Sequence, residues 1–390
     1  MTTSSFTART VDKKAVRIAI KNQKISEISF LSDQNIEINS LPWVTSGLFD
    51  LQVNGALGIS FNDPTATMSD FSKVIQHLIL NGMTGILATL ITTDRNSFSY
   101  SLALLEKTRK AIPLIEKVVE GYHIEGPAIS PKDGYRGAHP IEHVRIPSSS
   151  EYKEWLAASN NRIKLVTVAP EIPGVVEWIQ QLVSDGITVA IGHTSATSRQ
   201  INDAVMAGAR LSTHLGNGCE SSIHRHENPI WPQLANDCLA ASLITDGHHV
   251  PEPFIRTVLK VKKPGKLVLT CDASPLAGLP AGEYYLWNKT LKVDSDGRVL
   301  VPNTPYLAGS GHFLGHCLQI ALKLNEWDEV EVVKSASQVP RMLLGLDPHF
   351  LDIGSPADFI LWQGSSFARS TIQKVCVSGE WYHSGMNNKL

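Results

Sequence analysis

Apolar runs of strand length recur through the middle of the chain, and most are followed by a stretch with the spacing of an amphipathic helix. Eight such runs occur, at 47–53, 85–91, 118–126, 163–169, 187–193, 210–215, 239–245 and 266–272. Between them, Val175, Val176, Trp178, Ile179, Leu182 and Val183 repeat on one helix face and Gly186 ends the repeat. Continuous apolar runs alternating with helices imply parallel strands buried on both faces. Eight such units predict a closed (β/α)8 barrel of the TIM type. An open doubly wound sheet is the rival architecture, but the chain has neither a GxGxxG fingerprint nor a P-loop to support it.

The pattern differs at both ends. Residues 16–38 read as short strands, with alternation over Val16–Ile20 and again from Ile25 to Phe30. A second strand-like patch covers 357–362 and 372–377. Chain termini often lie close together, so these segments predict one small β-sandwich domain, 1–45 plus 350–390, interrupted by a barrel over 46–349. Residues 282–302 hold an Asp294-Ser295-Asp296-Gly297 turn between alternating runs and read as a β-hairpin inserted in the barrel.

Composition narrows the function classes. The 390 residues are 43% hydrophobic, enough for a large core, and the formal net charge of -2 points to neither nucleic acid nor a membrane surface as partner. The five cysteines are scattered and form no CxxC, so a reducing cytoplasmic setting is expected. The first residues, 1–14, lack the apolar core of a signal peptide, and no apolar run reaches the length of a membrane helix.

In barrels of this kind the chemistry sits at the C-terminal ends of the strands. Polar residues recur there: Asp50, Gln52 and Asn54 on the first run, His123 and Glu125 on the third, His193 on the fifth, His214 on the sixth and Asp272 on the eighth. One carboxylate and two imidazoles suit a divalent metal such as zinc with an open position. Asp272 is then the candidate general base for a water whose pKa a metal lowers from ~16 toward ~7. Each residue alone has an ordinary structural reading, as a satisfied core histidine or, for Asp272, a helix cap. His123 is read in that way. Four such residues on four strands are harder to explain so.

At this point the motifs resemble a known family. Gly47 through Gly55 (GLFDLQVNG), His123-Ile124-Glu125-Gly126-Pro127, Gly137-Ala138-His139, Val168-Ala169-Pro170-Glu171, Gly192-His193-Thr194, Thr213-His214-Leu215, Asp246-Gly247 and Asp272-Ala273 occur in one order. Together they are similar to the N-acetylglucosamine-6-phosphate deacetylases of the amidohydrolase superfamily, over roughly 46–345. The resemblance implies Glu125, His193 and His214 as metal ligands and Asp272 as the catalytic acid–base. It implies that His139 bonds the substrate carbonyl, and that Asn217, Gly218, Arg225 and His249 hold the sugar and its phosphate. It also implies a homodimer, since the family's phosphate-binding arginine tends to come from a neighbouring subunit. Many superfamily members carry His-x-His on the first strand. Gln52 and Asn54 stand there in this chain, and amides are poor zinc ligands, so one divalent metal is expected, zinc by preference and with iron, cobalt or manganese as alternatives.

The chain departs from the family where the substrate is held. Gly216-Asn217-Gly218-Cys219 replaces the common aromatic-Asn-Ala-Met, Ala128 follows the Glu-Gly-Pro, and the stretch from His224 to Trp231 is unusual although it keeps Arg225. The expected reaction is hydrolysis of the acetamide of N-acetylglucosamine-6-phosphate to acetate and glucosamine-6-phosphate. Two readings compete with it: an amidohydrolase acting on another N-acyl amino sugar or small amide, and a non-catalytic sugar-phosphate binder. The absence of a lysine at the end of the fourth run argues against the branch that hydrolyses cyclic amides with two metals. The retention of Asp272 argues against a pure binder, because binding needs no general base.

Overall fold

The computed structural model describes residues 4–31, 37–287 and 289–383. Residues 32–36 of the predicted 16–38 strand region, and the outermost residues of both ends of the predicted small domain, lie outside them. All eight predicted runs form parallel strands of one sheet: β1 (Leu48–Val53), β2 (Met83–Ile91), β3 (Val119–Glu125), β4 (Ile163–Val168), β5 (Thr188–Ile191), β6 (Leu211–Ser212), β7 (Ala240–Ile244) and β8 (Leu267–Thr270), each hydrogen-bonded to the next in chain order. The seam between β8 and β1 is closed differently. A bridge joins Val53 to Ala273, and the Asp50 carboxylate accepts from Thr270 Oγ1 (2.5 Å) and the Cys271 N–H (2.9 Å). Asp50, a strand-end acid in the sequence, is thus a structural clasp with no exposure.

Apolar side chains fill both faces of the strands. Phe49, Leu51, Leu87, Leu165, Ala190, Leu211, Ala240 and Val268 pack inside the barrel, and Val339 and Leu344 from the region of the helix Gln338–Leu343 plug its floor. A larger cluster packs the outer face against helices such as Val175–Ser184, which buries Val175, Trp178, Ile179 and Leu182 of the predicted face and leaves Val176 half-buried and Val183 exposed at its edge. At the floor, Arg341 is 1% exposed, lies over the Phe49 ring and contacts both carboxylate oxygens of Glu120 at 2.8 and 2.6 Å.

The chain ends form a seven-stranded mixed sheet, with Ala15–Lys21, Lys24–Phe30, Phe359–Gln363 and Thr371–Val377 where the alternation predicts strands. It gains Ser4–Thr10, Trp43–Ser46 and Glu380–Tyr382. Ser4–Thr10 is mostly Ser and Thr, which hides its alternation; only Phe6 and Ala8 supply apolar inward side chains. The sheet folds across its own face. Ser4–Thr10 and Glu380–Tyr382 are four strand spacings apart, which is ~19 Å in a flat sheet. Yet the rings of Phe6 and Trp381 lie 5.3 Å apart. The sandwich-like core is therefore one sheet closing on itself.

The inserted hairpin is larger than the sequence suggests. Gly282–Leu286, Lys289–Val293, Arg298–Leu300 and Leu307–Ser310 form a four-stranded antiparallel sheet. Its last strand is tied to the end of β8, where Ser310 N–H donates to the Asp272 carbonyl at 2.9 Å.

Candidate active site

A cavity of about 720 Å³ opens at the C-terminal ends of the strands, lined among others by Glu125, His139, His193, His214, Asn217, Gly218, His249 and Asp272. His193, His214 and Asp272 follow the last residues of β5, β6 and β8, and each has a left-handed backbone (φ +49°, +30° and +49°). Non-glycine residues rarely adopt that conformation, and at a cavity wall the strain is consistent with holding side chains in a set direction.

Glu125 is the hub. Its Oε1 lies 3.1 Å from His214 Nε2 and 3.4 Å from His193 Nε2, and Oε2 lies 3.6 Å from His139 Nε2. Against the penalty of burial, the surrounding imidazoles of His139, His193 and His214 hold its carboxyl well below the usual range. The His193 ring is oriented by Nδ1, 2.8 Å from the Tyr135 carbonyl, and the His139 ring by Nδ1, 2.8 Å from Thr92 Oγ1. Burial and the neighbouring His193 push the His139 imidazole down to about 4, so it is neutral near pH 7.

The ligand-type atoms of Glu125, His193 and His214 all lie within 4.8 Å of one another. Atoms about 2.0 Å from a common centre at tetrahedral angles lie ~3.3 Å apart. The 3.1 and 3.4 Å spacings to Glu125 Oε1 match that figure. These residues therefore fit a divalent metal, with one carboxylate and two imidazoles as donors.

The first strand supplies hydrogen-bond donors to two acids of the cavity. Gln52 Nε2 donates to Glu125 Oε1 at 2.8 Å, and Asn54 Nδ2 donates to Asp272 Oδ1 at 2.7 Å. An amide in each position steadies an acid, where an imidazole would compete for a second cation. Burial, then the charge of Glu125, raises the Asp272 carboxyl to about 6.

The remaining predicted residues divide. Asn217 and Gly218 line the cavity in the loop after His214, and a Cβ at Gly218 would stand 2.9 Å from the His193 ring, so a side chain there requires the ring or the loop to shift. His249 also lines the cavity, with Nδ1 2.8 Å from Asp246 Oδ2. Arg225 is not brought in. It is exposed and outside the cavity lining, and its carbonyl accepts from Trp231 Nε1 at 2.9 Å. His224 shapes its own loop by accepting the Glu227 N–H at Nδ1 (2.9 Å). His123 is a satisfied core residue, with Nε2 2.8 Å from Thr167 Oγ1. The sequence reading missed Thr92 and Tyr135, which orient two imidazoles. Thr92 follows the last residue of β2, so the strand-end rule reaches it; Tyr135 acts through its carbonyl and leaves no side-chain signal.

No family model matches the chain. Among individual proteins, the N-acetylglucosamine-6-phosphate deacetylase of Homo sapiens is 30% identical over 353 residues, which cover 86% of this chain and 82% of the relative. The chain belongs to the N-acetylglucosamine-6-phosphate deacetylase family. Solved structures of such deacetylases superpose along nearly its whole length. The protein from Thermotoga maritima has a TM-score of 0.81 at 27% identity and covers 94% of this chain and 95% of its own. A mutant from Mycobacterium smegmatis, solved with N-acetyl-D-glucosamine-6-phosphate, has a TM-score of 0.86 at 24% identity and covers 98% of this chain and 99% of its own. The expected fold, barrel and end sheet together, is that of these amidohydrolases.

Proposed function

We propose that the chain hydrolyses the acetamide of N-acetylglucosamine-6-phosphate to acetate and glucosamine-6-phosphate. The observation that carries this reading is the convergence of Glu125, His193, His214 and Asp272, from four strands, on one cavity of a deacetylase-family barrel.

One divalent metal per subunit, zinc by donor chemistry, would be held by Glu125, His193 and His214, and would supply charge stabilisation and a readily ionised water. Asp272, held at Oδ1 by Asn54, takes a proton from the attacking water. The new C–O bond forms as the carbonyl oxygen gains charge. His139 Nε2, presented toward Glu125, donates to that oxygen. Asp272 then returns its proton to the nitrogen, the C–N bond breaks, and amine and acetate leave.

Asn217, Gly218 and His249 hold the sugar phosphate in this reading, and Arg225 reaches the cavity of a second subunit in a homodimer. The outward position of Arg225 supports that arrangement. A different N-acyl amino sugar is the second reading, because Cys219 and Glu220 bring a thiol and a carboxylate to the cavity wall. Among the described residues no helix is long and apolar enough to cross a membrane, and the five cysteines are free, which supports a reducing cytoplasmic setting. Stripping the protein with a chelator and restoring one zinc equivalent tests the core of the proposal. Acetate release should vanish and return with the metal; release that persists without metal contradicts it.

A further inference from the structure

The four-stranded sheet over 282–310 forms part of the cavity wall, and Trp287 sits at the turn between its first two strands. The sheet starts at the catalytic end of β8, where Ser310 and Gly309 pack on the Asp272 backbone. Its other end reaches the loop that carries His139: burial and then the Arg136 guanidinium lower the Lys289 ammonium, with the Glu142 carboxylate opposing. The sheet thus spans from the strand of the general base to the loop after β3.

The Trp287 ring packs on the apolar cluster of this sheet, around Leu276 and Leu291, but two features of the residue are not explained by that packing. Its backbone is left-handed, φ +52°, which a bulky residue avoids and which Gly or Asn fills in most hairpin turns. Its indole Nε1 is buried and has no hydrogen-bond partner among the described residues. An unpaired buried N–H is destabilising unless something else accepts from it. Both features are accounted for if the ring is held at the cavity wall for a ligand.

We propose that Trp287 is a substrate-binding residue: its indole face packs on a pyranose face and its N–H donates to a substrate oxygen. This inference rests on the amino-sugar reading above and deepens it. A glucopyranose ring with equatorial substituents exposes a flat face of axial C–H groups that suits an aromatic plane. An axial hydroxyl, as at C4 of the galacto epimer, interrupts one such face. Trp287 therefore contributes to selection between epimers as well as to affinity.

The test compares wild-type, Trp287→Phe and Trp287→Ala proteins, all zinc-loaded, on N-acetylglucosamine-6-phosphate and N-acetylgalactosamine-6-phosphate. Trp287→Ala should raise KM for the gluco substrate by about tenfold or more, with kcat changed less, and should narrow the gluco-over-galacto ratio of kcat/KM. Trp287→Phe keeps a ring and loses the N–H, so its KM should fall between the two. Binding of the gluco substrate to Asp272→Asn protein should change tryptophan emission, and the change should shrink when Trp287→Phe is added. If both variants melt as wild type and leave KM, epimer ratio and emission change unaltered, the proposal is overturned. A loss of kcat alone, equal for both epimers, overturns it too, since it marks a merely structural role. A wild-type enzyme inactive on both sugars refutes the amino-sugar reading itself, an outcome distinct from the failure of Trp287.

Discussion

Replacing Asp272 by Asn removes the proton acceptor and leaves a side chain of the same shape, still able to accept from Asn54 Nδ2. We expect Asp272→Asn to keep metal content and melting temperature and to lose about a thousandfold in kcat. Metal analysis beside steady-state kinetics checks this, and near-normal turnover in the loaded variant removes Asp272 from the mechanism. The same carboxyl sets a pH dependence. Burial and Glu125 raise it to about 6, and a general base works only when ionised, so kcat/KM should fall as pH drops through its pKa. A bound cation favours the ionised form, so the acid limb should lie at or below pH 6. A limb well above that value contradicts the assignment. The strand-end rule made Glu125, His193, His214 and Asp272 legible because acids and imidazoles are rare inside apolar strands. It could not tell that Gln52 and Asn54 act as donors to those acids, or that Asp50 clasps the barrel seam, because both depend on which strands meet at closure.

Elements were legible in proportion to how fully they are buried. The barrel strands are covered on both faces and read as unbroken apolar runs, so all eight stand where the pattern predicts them. The strand Ser4–Thr10 buries little and carries no apolar alternation to mark it, and the strand Leu307–Ser310 lies beyond the turn signals that define the hairpin. The helix Gln338–Leu343 carries a prediction of its own. Its Arg341 is buried under the barrel with the Phe49 ring and the Glu120 carboxylate as partners. Arg341→Ala leaves that acid unpaired at the floor and should cost about 3–5 kcal/mol of stability. Urea unfolding measures it; a loss below about 1 kcal/mol would place the pair among ordinary surface bridges.

At the scale of the whole molecule, one barrel brings four strand ends to a cavity, and the inserted sheet at 282–310 and the loop after β3 bound it. In the proposed mechanism the division of labour follows from the fold: strand ends carry Glu125, His193, His214 and Asp272, and loops carry the residues proposed to hold the sugar. The strand-end motifs resemble those of the family while the loop Gly216–Glu220 differs from its common form, so the sequence speaks more directly to the proposed chemistry than to the sugar. The most direct measurement is acetate release by purified, zinc-loaded protein from N-acetylglucosamine-6-phosphate, beside N-acetylglucosamine and N-acetylgalactosamine-6-phosphate. Fast release from the first, and much slower release from the other two, is the predicted result. No release from the first, or a clear preference for another sugar, would contradict the proposed substrate and assign the altered loop to a different amide.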